Sequence, residues 1–235
     1  MKIDSGILNI YKPSGISSSN VVKIIKHKLN VNKIGHCGCL DPLAEGVLVI
    51  CFGNKTKLFN KLSNQIKVYE TVLIFTLETD TDDISGKIIN YKYVDDIPTI
   101  DMIKNTLLSF VGDIEQIVPI YSAVKLNGRR FYEYARDGKY VDPKIHKIKI
   151  YEIELIKYLF PYLKFRVKCS AGTYIRSLCR DIGRKLDLYA TMCSLIRLKS
   201  GEFTIENSID FTKIKYFSYD ELIKYVITNE FISWN

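Results

Sequence analysis

The chain has 235 residues, enough to bury a real core as one large domain or two small ones. Hydrophobic residues at 47% and charged residues at 26% exclude a disordered or fibrous chain, and no apolar run approaches the ~20 residues of a membrane span. The 34 Lys and Arg against 26 Asp and Glu leave a formal charge of +8, which favours a polyanionic partner without identifying one. A chain this rich in Ile, Lys, Asn and Tyr can owe its lysines to codon bias. The six cysteines show no disulfide-scaffold spacing and the N-terminus has no signal-like apolar segment, so a reducing cytoplasm is expected.

Gly6 to Ile10 reads as a short strand, closed by the turn residues of Tyr11-Lys12-Pro13-Ser14-Gly15. Ser17 to Asn20 offer helix caps, and Val21, Ile24, Ile25 and Leu29 recur at helical spacing, which predicts a helix with one buried face. Lys33 to Gly46 is too irregular for helix or strand. Gly35, Gly38 and Gly46 permit turns that other residues resist, and Pro42 drives Asp41 toward an extended backbone that presents its carboxylate from a fixed main chain. On residue types alone, the same loop can be a surface connection in which Asp and Gly serve the turn. His36, Cys37, Cys39 and Asp41 are types that bind zinc, but no second paired-cysteine element accompanies them and no metal is expected.

Val47 to Phe52 follows as a buried strand and Lys57 to Leu62 as a short helix. Lys67 to Leu77, dense in β-branched and aromatic residues, predicts one strand with both faces largely covered. Thr79 to Asp83, then Ser85-Gly86, reads as a solvated acidic turn, too poor in later ligands for a calcium loop, before a strand from Lys87 to Asn90. Thr99 caps a helix carrying Ile100, Ile103, Leu107 and Phe110. After the Asn127-Gly128 turn, Arg129 to Arg136 predicts a basic, aromatic helix stopped by Gly138. Such a helix either buries Phe131 and Tyr134 with its arginines in water, or offers arginine and tyrosine to phosphates and bases.

Ile145 to Leu155 reads as a long strand. In the next, Leu163, Phe165, Val167 and Cys169 alternate with Tyr162, Lys164, Arg166 and Lys168, core on one face and basic on the other. Ser170 to Leu178 opens a helix with Ile175, Leu178, Ile182 and Leu186 as its buried stripe. Leu195 to Leu198 leads into a last strand ending near Thr204, and Ser218-x-x-Glu221 is a capping box for a closing helix. Strands and helices follow no regular alternation. The expected fold is therefore α+β, a mixed and largely antiparallel central sheet with flanking helices, in one continuous domain over 1–235.

The run Gly35-His36-x-Gly38-x-Leu40-Asp41-Pro42-Leu43-Ala44-x-Gly46-Val47-Leu48 resembles the catalytic signature of the TruB family of tRNA pseudouridine synthases, and its many specified positions make it far more specific than a short glycine motif. Cys37 and Cys39 stand where that family has Thr, Ala or another small residue. Lys12-Pro13-x-Gly15, Tyr121-Ser122-Ala123-x-Lys125 and Tyr132-Glu133-Tyr134-Ala135-Arg136 match as well, in family order, and the resemblance spans nearly the whole chain from Gly6 to Leu198. It implies the pseudouridine synthase catalytic fold and an RNA-gripping insertion near 119–147; such families usually carry a further C-terminal PUA domain, and the stretch after the last core motif is expected to be too short to hold a complete one. It further implies that Asp41 is the catalytic carboxylate, that Tyr69 stacks on the target base, and that Arg176 pairs with Asp41. Leu195 would form the apolar wall of the pocket and His36 would shape the RNA near the flipped nucleotide. Tyr174, Lys125, Arg129 and Arg130 would bind RNA, and Lys12, Pro13, Gly35 and Gly38 would be structural.

The implied reaction breaks a C1′–N1 glycosidic bond, turns the uracil and rejoins it through carbon. It needs an ionised carboxylate and no redox carrier, so no cofactor is expected. The expected substrate is uridine 55 in the T stem-loop of tRNA, handled by a cytoplasmic monomer without membrane attachment or obligatory protein partner. Two alternatives stand beside it: a guide-RNA-dependent synthase of the dyskerin kind, and a tRNA-folding chaperone whose chemistry is secondary.

Overall fold

The glycines and prolines of the N-terminal third divide it into short elements. The computed structural model describes residues 3–122 and 124–228, so Ala123 of the Tyr-Ser-Ala motif lies outside the described residues. The first strand, β1, is Gly6–Lys12, and the first helix, α1, is Ser18–Leu29, started by the Ser17 side chain accepting from the Asn20 backbone. Its buried face is Ser18, Val21, Ile25 and Leu29, whereas Ile24, expected inside, is 37% exposed. Ser18 takes the inner position instead and exchanges hydrogen bonds with Leu40, its hydroxyl accepting from the N–H and donating to the carbonyl.

Ile34–His36 forms a short strand, β2, where irregular chain was expected, because it pairs antiparallel with β3, Glu45–Phe52. A 3₁₀ turn over Gly53–Leu58 leads into α2, Phe59–Ser63. The expected strand from 67 to 77 is two, β4 (Lys67–Phe75) and β5 (Leu77–Thr79), broken at Thr76 with φ of 83°. Thr76 leaves the strand because its N–H donates to Tyr189 O and its carbonyl accepts from Lys92.

β5 pairs with β6, Ile88–Tyr91, around the acidic segment. α3, Ile100–Leu108, starts at the Thr99 cap and leads to β7, Gly112–Ile117. Asn127 and Gly128, both with positive φ, turn β8 (Lys125–Leu126) into β9 (Arg129–Arg130). The basic helix thus starts later than expected: α4 is Phe131–Arg136, with Glu133 reaching back to the Arg130 N–H. Phe131, Val118 and Val141 form a small core under this hairpin and helix, with Tyr134 and Tyr174 packed on it.

β10, Ile145–Leu159, runs longer than expected and pairs antiparallel with β7 and with β11, Tyr162–Cys169, whose alternation is as expected. α5, Ile175–Lys185, buries Ile175, Leu178 and Ile182 as predicted, and Arg176, Ser177 and Arg180 as well; Leu186 is its C-cap. Next come β12 (Ala190–Ser200), β13 (Phe203–Thr204), β14 (Ile209–Asp210) and α6 (Phe211–Ile214). The last helix, α7 (Tyr219–Ile223), begins at the predicted capping box of Ser218 and Glu221.

The chain folds as two compact units, Met1–Tyr69 with Ile196–Asn235, and Glu70–Leu195. In the first, β1 lies between antiparallel β3 and parallel β14, and the end of β12 runs parallel to β3. In the second, the strand order is β4-β11-β10-β7. The class is α+β with mixed pairing, as the irregular alternation implied. Among the described residues no helix is long and apolar enough to cross a membrane.

Candidate active site

In the first unit the segment around Asp41 leaves β2 after His36, and the next residue, Cys37, donates its N–H to Val49 O at 2.8 Å. Gly38 then turns the chain with φ of +112°, where a side chain would be strained. Asp41 itself is half-buried, and its carbonyl accepts from the Ala44 N–H at 3.1 Å, closing a short turn around Pro42.

Two buried cations hold this segment by its backbone carbonyls. Lys12, 0% exposed, donates from Nζ to Pro13 O at 2.9 Å, Ile16 O at 2.8 Å and Pro42 O at 3.4 Å. Arg197, 1% exposed, donates from Nε to Val47 O at 2.7 Å, from Nη1 to Cys39 O at 3.2 Å and from Nη2 to Gly38 O at 3.0 Å. Burial pulls the Lys12 ammonium down to a pKa of about 8, against the upward pull of Cys39, Asp41 and Glu45. Tyr11 donates to Glu45 at 2.6 Å, and burial together with that carboxylate pushes its hydroxyl up to about 12.

Cys37 is small because it packs in the first unit's core with Ile7, Val47, Val49 and Leu62. Its sulfur lies 3.3 Å from that of Cys51, a contact that lowers the Cys37 thiol and raises the Cys51 thiol. Among the described residues no three His, Cys, Asp or Glu side chains gather as a metal site. Pro13 follows Lys12 at the end of β1, Gly35 and the half-buried His36 belong to β2, and Tyr69 is buried on β4.

The second unit carries Arg176, and here the acidic turn proves not to be solvated: Glu78, Thr79, Asp82 and Asp83 are all buried. Three arginines one helical turn apart on α5 meet it, because side chains at i and i+4 share a helix face. Arg176 donates to Thr81 O and Tyr121 O, both at 2.9 Å, with its Nε 3.9 Å from Asp83. Arg180 donates to Asp82 at 2.8 Å, and Arg184 to Glu78 at 2.8 Å. Burial raises the Asp82 carboxyl while Arg180 and Arg176 pull it down. Asp83 also accepts from the Thr81 hydroxyl at 2.9 Å and the Ser85 N–H at 3.0 Å. Leu195 is buried on β12.

The residues expected to bind RNA fall into two environments. Tyr174 caps α5 and exchanges two hydrogen bonds with Gln116, so its main chain is tied to β7. Arg129 is ion-paired with Asp137 at 2.5 Å and lies 4.9 Å over the Tyr134 ring. Exposed Arg130 pairs across the hairpin with Lys125, and both Arg130 and Arg136 flank the Tyr132 ring, at 5.7 and 5.3 Å. Arg197, Arg180 and Ser18 escaped the sequence reading. The signals were there in part: an arginine inside the apolar run Leu195-Ile196-Arg197-Leu198, and arginines at 176, 180 and 184.

Comparison with known proteins gives this geometry a context. A chain of the Cbf5–Nop10–Gar1 complex superposes with a TM-score of 0.72 at 31% identity, covering 95% of this chain and 56% of that one. A chain of an H/ACA RNP bound to a substrate RNA containing 2′-deoxyuridine gives 0.68 at 28% identity, covering 97% and 60%. This chain therefore spans less than two thirds of either neighbour. The family model for the TruB pseudouridylate synthase N-terminal domain matches residues 26–175, and that for the tRNA pseudouridylate synthase B C-terminal domain matches 176–227. Proteins named tRNA pseudouridine synthase B from Clostridium novyi and Clostridium tetani are 47% and 46% identical over 95% and 93% of the chain, which spans 76% and 75% of them. The fold is that of a pseudouridine synthase. The chain belongs to the TruB family of pseudouridylate synthases.

Proposed function

We propose that this protein converts uridine to pseudouridine in the T loop of tRNA, at position 55, acting without a guide RNA. The observation that carries the proposal is the segment around Asp41: a half-buried carboxylate on a backbone that two buried cations hold by neutral carbonyls. The tRNA named for the Clostridium relatives supports the substrate class.

The uridine must leave the stack to be reached, at a cost of a few kcal/mol that phosphate contacts offset. Asp41 attacks C1′ or stabilises the positive charge there as the C1′–N1 bond breaks and its electron pair leaves on the uracil. The ring turns and C5 bonds to C1′, displacing the Asp41 carboxylate with its electron pair where a C1′–O bond had formed; C5 then gives up its proton and N1 takes one up. Tyr69 serves as the platform under the ring, Leu195 as the apolar wall, and Arg176 as the basic catalytic residue. His36 shapes the flipped nucleotide, while Tyr174, Lys125, Arg129 and Arg130 contact the RNA. Residues 1–235 serve as a catalytic domain of a cytoplasmic monomer that needs neither cofactor nor obligatory protein partner.

Primer extension after carbodiimide labelling, on an unmodified tRNA transcript, tests this. Wild-type protein should produce a stop at the T-loop uridine, and Asp41→Ala should produce none while still binding tRNA. A stop elsewhere would overturn the substrate assignment. No stop with tRNA bound would favour a guide-dependent enzyme or a folding chaperone.

A further inference from the structure

We infer that Arg197 is a positioning residue for the reaction: its buried guanidinium fixes the main chain that presents the Asp41 carboxylate. The inference rests on the proposed role of Asp41. All three guanidinium nitrogens donate, and their acceptors lie on both sides of Asp41, at Gly38 and Cys39 before it and Val47 after it. One side chain thus closes both ends of the loop.

Two further features single out this arginine. A buried charge normally takes a carboxylate, yet all three of these acceptors are neutral carbonyls, so the guanidinium orders the loop without engaging the carboxylate that has to react. The backbone is also pressed close: Arg197 pairs with Gly46, whose φ is +101°, and any Cβ at Gly46 would overlap the main chain of Arg197. The fork therefore starts from a fixed point on β12, within reach of the loop on the neighbouring strand. A lysine there has a point charge on a flexible stem and cannot hold three divergent acceptors at once.

The test uses the full chain and two variants, Arg197→Lys and Arg197→Met, in single-turnover assays with enzyme in excess over tRNA transcript. Misplacing a reacting group by about 1 Å can cost about a hundredfold in rate, so Arg197→Met should lose that order of magnitude at saturating enzyme with tRNA affinity unchanged. Arg197→Lys should fold and recover only part of the rate. Amide exchange should accelerate over residues 38–43 in both variants while β1 stays protected. A wild-type rate in Arg197→Lys, or acceleration spread evenly over the first unit together with lost tRNA affinity, would overturn the inference and leave Arg197 as a fold-holding residue. If wild-type protein makes no pseudouridine, the functional proposal fails, and the exchange data still decide whether Arg197 holds the loop.

Discussion

The Asp41 loop of the first unit and the Glu78–Asp83 segment of the second are both held by buried basic side chains, through opposite chemistry. Lys12 and Arg197 hold the loop by carbonyls. Arg180 and Arg184 hold the acidic segment by its carboxylates, with Arg176 binding two carbonyls and lying near Asp83. The difference follows from what each segment must keep. A carboxylate whose task is structural can be consumed by an ion pair, which offsets its desolvation. The Asp41 loop is ordered instead through neutral backbone dipoles, which fix its main chain whatever the carboxylate itself meets.

The largest expected effect lies on the carboxylate side. Arg180→Met leaves Asp82 buried without its closest partner and should cost about 3–5 kcal/mol in urea unfolding, whereas Asp82→Asn combined with Arg180→Met, which removes the charge and keeps a residue suited to the positive φ at 82, should recover much of that loss. If the single and double variants are equally unstable, the pair is not what holds the segment. On the carbonyl side, Gly46→Ala forces a side chain into a left-handed backbone position and against Arg197, and should cost about 1–3 kcal/mol from the conformation alone. Its pseudouridine formation should fall further than its stability explains.

The hairpin of β8 and β9 repeats the contrast between two adjacent arginines. Arg129 is neutralised by Asp137, whereas Arg130 is exposed and sits beside an aromatic ring. Arg130→Ala should reduce the slope of log affinity for tRNA against log salt by about one. Arg129→Ala should change the slope less. Equal slopes for the two variants would remove the distinction.

The smallest effect is a pH dependence from Lys12. Its pKa falls from 10.5 to about 8 on folding, chiefly through burial, so between these values the unfolded chain holds more protons and stability rises with pH. The cost of burying the charge is present in full below about pH 8 and is relieved as pH rises toward 10.5. Denaturant unfolding between pH 8 and 10 should show this rise in wild-type protein and a flatter profile in Lys12→Met. Parallel profiles would mean that Lys12 does not titrate there.

Much of the fold was legible in the residues. The Ser17 and Thr99 caps, the alternation of β11, the apolar stripe of α5 and the capping box at Ser218 all express local rules in which a few adjacent residues set the outcome. The misses share a cause. Thr76 breaks its strand because Tyr189 and Lys92 offer better partners, and Arg129 and Arg130 pair as strand because the Asn127-Gly128 turn brings Lys125 and Leu126 opposite them. The acidic turn looked solvated because the arginines that cover it lie about a hundred positions further along, at separations of 98 and 106 residues.

By itself the sequence determined the periodicities, the caps, the shaped loop around Asp41 and the resemblance those residues carry, since each depends on neighbours in the chain. Only the tertiary structure decided which buried charge meets which partner. Arg197 reaches Gly38 across 159 positions, and no local spacing encodes that pairing because it exists only once strands from both ends of the chain lie side by side.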